Sequence, residues 1–309
     1  MSQTTEHPAP LLVTGIHRSG TSWVGRMLAA GNTTYVNEPL SVSHRPGVLR
    51  LGIKHWYEYI IAENEGGYLP AFQDLLKLKY FPLAEIRSIR ERRDALRMGR
   101  DSFNFMLGRI RRSRVLLKDP FAAFSTPWFA DRLNCQVVIT VRHPAGFVSS
   151  LMRLNWPFQI EDLLAQPLLM RDHLEPYRAE METVRADDGL GRACLLWNAL
   201  YGTIHKTLQQ RRDLIAVRHE DLSRDPVNGF RELYGKLGFA FTPKVEDTIL
   251  NSSSSENPTE LSKQKRHSVK LDSRANLDNW KKRLTKDEIA RIRKMTGDVS
   301  HLFYSDNEW

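Results

Sequence analysis

The sequence predicts an α/β protein. It reads as a single domain over residues 1–309, with a central parallel β-sheet of about five strands between layers of helices. Three observations lead there. Short runs of Val, Ile and Leu, bounded by Gly, Pro or charged residues, recur along the chain, as strands buried on both faces require. Segments with apolar residues at helical spacing alternate with them, the pattern of parallel strands joined by crossover helices. The length of 309 residues, with 41% apolar and 26% charged, allows a large core of ordinary globular composition.

The elements follow in order. Residues 1–10 are polar and carry two prolines, which predicts no signal peptide and a flexible N-terminus over 1–9. "APLLVTG" is a short buried strand ending at Gly15, and "TSWVGRMLAA" is a helix that Gly31-Asn32 terminates. "TTYVNEP" is a second strand, stopped by Pro39. Residues 41–80 are aromatic and irregular, and 83–113 have helical spacing with many arginines, a solvated helix face. "SRVLLKDP" and "CQVVITVRHP" are strands three and four. "AGFVSSLMRL" is a helix entered by Pro144 at a first-turn position. Residues 161–209 read as mostly helical, "DLIAVRHEDL" (213–222) as strand five and "PVNGFRELYGKLGF" as an amphipathic helix. The polar run beginning "NSSSSENPTE" predicts a mobile loop over 251–262, and a last helix lies near 285–297.

Composition narrows the function. Lys plus Arg exceeds Asp plus Glu by 45 to 36, a formal net charge of +9 that favours an anionic ligand. No basic stripe interleaved with base-stacking aromatics is present, which argues against nucleic acid as partner. Cys135 and Cys194 have neither metal-ligand spacing nor a disulfide framework, and no metal site is expected. No apolar run reaches 18 residues, so no transmembrane segment is expected, and the expected location is cytoplasmic. The sequence leaves the oligomeric state open.

Residues 15–22, "GIHRSGTS", carry the chemistry. Gly15 and Gly20 have the spacing of the phosphate-binding loop of nucleotide hydrolases, G-x-x-x-x-G-K-[ST], and the loop lies between a strand and a helix. That predicts a P-loop NTPase-like, three-layer α/β/α arrangement. Backbone amides and the helix dipole then point at an anion outside the carboxyl ends of the strands. The lysine that normally follows the second Gly is missing, and Thr21-Ser22 stands there. The nearest cation is Arg18. No acidic residue cleanly ends an apolar strand as a second Mg²⁺ contact would. The fourth strand ends in Arg142, and the third has Lys118 before Asp119. A P-loop nucleoside or small-molecule kinase or NTPase using ATP is the alternative, weakened by these losses.

"HRSGTSW" together with "VITVRHPAGFVSSLMRL" resembles the sulfotransferase superfamily, whose members move a sulfuryl group from 3′-phosphoadenosine 5′-phosphosulfate (PAPS) to a hydroxyl or amine. The resemblance spans roughly residues 10–300. It implies that His17, Arg18, Ser19, Gly20, Thr21, Ser22 and Trp23 hold the 5′-phosphosulfate, and that Arg142 and Ser150 hold the 3′-phosphate. "LIAVRHEDLSRDP" resembles the family's late strand and its tail. The family's Arg-Lys-Gly loop before a Trp-Lys is only partly kept: Trp280-Lys281 is present, but Arg274-Ala275-Asn276 replaces the loop, which makes Arg274 the candidate contact there. No metal is implied.

In-line transfer requires a cation on the sulfuryl oxygens, a base for the acceptor and alignment. Arg18 and Lys118 are the candidate cations. The His used by phenol and steroid members has Pro120 in its place. Glu38, in the "NEPL" that resembles carbohydrate and tyrosyl-protein members, is the candidate general base. His17, His44, His143 and Asp119 are lesser candidates. Trp56, Tyr57, Tyr59, Tyr68, Phe72, Trp156 and Phe158 are candidates for an acceptor pocket, with a carbohydrate, glycolipid or small-molecule alcohol as acceptor.

Overall fold

A computed structural model describes residues 8–43, 45–156, 158–260 and 270–309. Strands β1 (Leu11–Gly15), β2 (Thr33–Asn37), β3 (Arg114–Lys118), β4 (Gln136–Val141) and β5 (Ile215–Arg218) form one all-parallel sheet in the order β2-β3-β1-β4-β5. Alternation of side chains along each strand sends successive residues to opposite faces. Leu12, Leu117, Val137 and Ile139 join one apolar core, while Leu11, Val13, Leu116 and Val138 join the other. Both faces are therefore covered, which is why these strands read as continuous apolar runs.

The helices that matter for function are α1 (Thr21–Leu28), α2 (Tyr68–Leu76), α3 (Pro82–Ile86), α4 (Arg92–Ile110), α5 (Thr126–Leu133) and α6 (Pro144–Leu154). They are followed by α7 (Gly189–Gln210), α8 (His219–Arg224), α9 (Pro226–Lys236), α10 (Pro243–Ser253), α11 (Asn279–Arg283) and α12 (Lys286–Ser300). Among the described residues no helix is long and apolar enough to cross a membrane.

Several boundaries differ from the sequence reading. The helical stretch 83–113 is two helices, because Glu91 and Asp94 form a capping box that starts α4 afresh. Residues 161–183 are helical as expected, but in short successive segments from Glu161–Leu164 to Arg178–Thr183 before α7. Strand five ends at Arg218, since Glu220 and Asp221 sit where a helix first turn favours acids, and α8 begins there. The loop expected over 251–262 begins inside α10. Ser252 and Ser253 donate their hydroxyls to the Ile249 carbonyl at 2.9 and 2.8 Å, satisfying themselves on the helix, while residues 261 and 262 lie outside the described residues. So do residues 1–7 of the expected N-terminal segment.

All strands run the same way, so Gly15, Asn37, Lys118, Val141 and Arg218 end on one edge of the sheet. From β1 the chain crosses to β2 on one side, and β4 lies on the other. That reversal opens a crevice at the carboxyl end of β1, where the predicted anion loop sits.

Candidate active site

The loop after β1 is held by its own backbone. Arg18 and Gly20 have φ of 69° and 93°, and Ser19 N–H donates to the Ile16 carbonyl at 3.1 Å. A side chain at Gly20 would have its Cβ 2.6 Å from His219 Nδ1, so the position needs glycine both for its torsion and for space. Ser19 does not face the ligand side. Its hydroxyl is buried, donating to the Ile16 carbonyl at 2.5 Å and lying 2.6 Å from Thr140 Oγ1, which ties the loop to β4.

A cavity of about 480 Å³ opens above this loop. His17, Arg18, Gly20, Thr21, Ser22 and Trp23 line it from the loop and α1, and Arg142 and Ser150 line it from β4 and α6. Arg142 Nη1 donates to the Arg18 carbonyl at 2.5 Å, and Arg18 Nε donates to Ser150 Oγ at 3.2 Å. The two predicted anion sites thus adjoin within one cleft. The Trp197 indole N–H, donating to the Arg142 carbonyl at 2.9 Å, and the Tyr201 hydroxyl, donating to the Thr140 carbonyl at 3.0 Å, fasten the end of β4 to α7.

Sequence reasoning missed Arg153 and Arg283, which also line the cavity, and Arg283 pairs with Glu260 at 2.6 Å. Four guanidinium groups therefore face it against one carboxylate, Glu38. Burial, then the neighbouring Arg142 and Arg153 charges, push Arg18 down to about 10, and burial also lowers Arg142. Among the described residues that line the cavity, guanidinium groups outnumber carboxylates, and a bound anion would relieve that excess of positive charge. Arg142 Nε, His219 Nδ1 and Ser223 Oγ are buried without hydrogen-bond partners among the described residues, and all three residues line the cavity. A polyanionic ligand with several acceptor oxygens fits those orphaned groups.

Arg274 does not line this cavity. It is exposed and its Nε donates to the Arg224 carbonyl at 2.8 Å. The segment instead supplies Ser273, Asn276 and Arg283 to the cavity. Trp280 is buried and stacks on His143 with ring centres 5.2 Å apart, while Lys281 pairs with Asp278 at 3.2 Å. The signal for Arg283 was its place one helical turn beyond the kept Trp280 (α11 is a single turn), which brings both to the same region.

Lys118 is also placed otherwise than expected. It is buried, lies outside this cavity, and its Nζ forms an ion pair with Glu38 Oε1. Glu38 has φ of 50°, and its N–H donates to the Lys118 carbonyl at 2.7 Å, so the left-handed turn at the end of β2 aims its carboxylate along the strand ends. Glu38, like Ser22, lines both this cavity and a second one beside β2. Its Oε2 has no hydrogen bond among the described residues and remains available to a substrate hydroxyl.

The lesser base candidates are engaged elsewhere. Asp119 is fully buried, accepting from Leu40 N at 2.6 Å and Phe121 N at 3.0 Å, and burial pushes it up to about 7. His143 is enclosed by Trp280, Tyr304 and Trp309, and burial lowers it to about 3. His44 lies outside the described residues. His17 lines the cavity, with Nδ1 2.6 Å from the Tyr57 hydroxyl, and burial followed by the Arg18 charge lowers it to about 3, so it is neutral. Of the aromatic candidates, Trp56 and Trp156 line the cavity, with rings 6.1 Å apart, and Phe121 joins them. Tyr57 and Phe158 pack behind His17. Tyr59 bonds Asp172, Tyr68 bonds Glu58, and Phe72 is core.

A parallel α/β sheet with a glycine-turned loop at its crevice, and two arginines meeting over one cavity, is an arrangement suited to a doubly anionic ligand. The sequence profile described as "Sulfotransferase domain" matches residues 8–303, so the chain belongs to the sulfotransferase domain family. It is 24% identical over 188 residues to carbohydrate sulfotransferase 3 of Mus musculus, covering 58% of this chain and 36% of that protein. It is 27% identical over 182 residues to carbohydrate sulfotransferase 1 of Danio rerio, covering 57% and 37%. The matched region spans about a third of the length of these curated relatives. A solved structure, "mouse sulfotransferase SULT7A1 complexed with PAP", superposes with a TM-score of 0.48 at 11% identity, covering 98% of this chain and 87% of that one.

Proposed function

We propose that the protein transfers a sulfuryl group from PAPS to an acceptor hydroxyl, a carbohydrate hydroxyl first and a glycolipid or small-molecule alcohol next. One observation carries the reading: Arg142, Arg18 and Ser150 form a hydrogen-bonded chain across a single cavity that holds four guanidinium groups. The carbohydrate sulfotransferase relatives and the pair of tryptophans, suited to stacking on a sugar ring, support the acceptor class.

When bound, PAPS supplies an S–O bond to a 5′-phosphate leaving group. The residues here do the rest. Arg142, Ser150 and the orphaned Ser223 hydroxyl hold the 3′-phosphate end. Arg18, with Thr21 and Ser22 at the start of α1, faces the charge that gathers on the 5′ side. Glu38 takes the acceptor's proton on Oε2 as the acceptor oxygen bonds to sulfur and the bond to the 5′-phosphate oxygen breaks. Lys118, holding Oε1, fixes the direction of that carboxylate. Neutral His17, backed by Tyr57, borders the acceptor side and leaves the proton to Glu38.

Thermal-shift measurements with adenosine 3′,5′-bisphosphate and with ATP, each with and without EDTA, test the reading. The bisphosphate at about 100 times its Kd adds roughly 2.7 kcal/mol and raises Tm by several degrees whether or not EDTA is present. An equal response to ATP, or one that needs Mg²⁺, refutes it. Transfer of radiosulfate from labelled donor to a panel of sugars and alcohols then identifies the acceptor.

A further inference from the structure

Among the described residues nine large apolar side chains are exposed, and six of them, Leu83, Ile86, Leu96, Phe103, Met106 and Ile110, lie on α3 and α4. They are therefore not the scattered apolar residues of an ordinary surface. On α4 the spacings of seven, three and four place Leu96, Phe103, Met106 and Ile110 within an arc of about 80°. Leu96 and Ile110 are 76% and 71% exposed, while Asp101, Phe105 and Gly108 on the opposite face are buried against the protein. The stripe points outward and nothing in the described chain covers it.

Its rim is basic. Residues 87–112 hold nine arginines and three acids, a net of +6 out of the chain's +9. The acids are taken: Glu91 pairs with Arg93, Asp94 with Arg97, and Asp101 with Arg45 and Arg100. Arg87, Arg90, Arg92, Arg109, Arg111 and Arg112 form no ion pair among the described residues. A second copy of this face would bring the same +6 against it. A nucleic acid would meet the charge and leave Leu96 and Ile110 in water. A surface both anionic and apolar beneath answers both features.

We propose that α3 and α4 dock the protein on an anionic lipid bilayer, with the Leu96–Phe103–Met106–Ile110 stripe at the boundary of headgroups and acyl chains and the arginines among the headgroups. The inner side of α4, through Arg97, Arg100, Asp101 and Phe105, walls the second cavity, of about 850 Å³, which runs beside β2 to Glu38. Docking therefore sets an approach to Glu38 next to the lipid surface. The docking itself stands or falls independently of the reaction proposed above.

The test is co-sedimentation of the full chain with vesicles of phosphatidylcholine alone and with about one third phosphatidylglycerol, at low and high salt. Binding to the anionic vesicles is expected to exceed that to neutral ones by at least about tenfold, and to weaken with salt. Phe103→Glu with Ile110→Glu is expected to lower it by more than about tenfold, and Arg109→Glu with Arg111→Glu by about a hundredfold. The thermal response to adenosine 3′,5′-bisphosphate, unchanged in both variants, shows that they are folded. Equal binding to neutral and anionic vesicles overturns the proposal. So does undiminished binding by the Phe103/Ile110 variant, which assigns the contact to charge alone. A dimer that this variant dissociates, without vesicle binding by the parent chain, makes the stripe a self-association face and overturns it too.

Discussion

Replacing Glu38 by Gln keeps the shape of the side chain and leaves Lys118 an acceptor, while removing one charge from the Glu38–Lys118 pair. At a contact distance of ~3 Å and an effective dielectric of ~20, the pair attracts by about 5 kcal/mol. Lys118 is buried, but the Glu38 side chain is 26% exposed, so solvent screening halves this to roughly 2–3 kcal/mol. Urea denaturation of Glu38→Gln is expected to show a loss of that size. Lys118→Met is expected to lose a similar amount, and the double variant to lose less than their sum by about 2 kcal/mol, since the same interaction is removed twice. Turnover of Glu38→Gln is expected to fall by about 10²–10⁴, the usual contribution of a positioned base. Affinity for adenosine 3′,5′-bisphosphate, measured by calorimetry, is expected to change by less than about twofold, because Glu38 bonds none of the residues assigned to the nucleotide. If affinity collapses in step with turnover, Glu38 belongs to the donor site. If turnover survives, the proton goes elsewhere.

Arg142→Met is expected to weaken adenosine 3′,5′-bisphosphate by about 30–100-fold in a calorimetric titration, the worth of one or two charge-assisted hydrogen bonds, and an unchanged Kd would remove Arg142 from the site. Gly20→Ala is expected to lower unfolding stability by about 2–4 kcal/mol, because Cβ meets His219 and φ is 93°; a loss below about 1 kcal/mol in urea would mean that the loop relaxes freely. His143 has its proton affinity lowered from 6.5 to about 3, so between those values the unfolded chain holds a proton that the folded one lacks, and stability falls as pH drops. His143→Phe is expected to flatten the slope of stability against pH by about 1 kcal/mol per unit between pH 4 and 6. Asp119, raised to about 7, acts in the opposite sense in both proteins, so the difference between them isolates His143; identical slopes would show the imidazole to be solvated.

The five strands, the helix that begins at Thr21, and the anion loop with Arg18 were legible because each depends on local spacing: apolar runs, a glycine that must turn, a proline at a helix start. Arg142 and Ser150 could be paired only through the family resemblance, since the two side chains are brought to one cavity by the packing of β4 and α6 against the loop, not by anything in their own segment. Lys118 shows the limit most plainly. Its position at the end of β3 suggested a cation for the donor, yet parallel pairing with β2 puts Glu38 within its reach, and a buried ammonium takes the nearest carboxylate.

The chain by itself therefore determined the architecture and the place of the glycine-turned loop after β1, because periodicity and turn chemistry act over a few residues. Tertiary structure alone decided which charges meet. It brought Arg153 and Arg283 to the cavity, sent Arg274 away from it, joined Lys118 to Glu38, and turned the apolar residues of α4 outward. Ion pairing and burial are settled between segments that lie far apart in sequence, and only the packed sheet sets those distances.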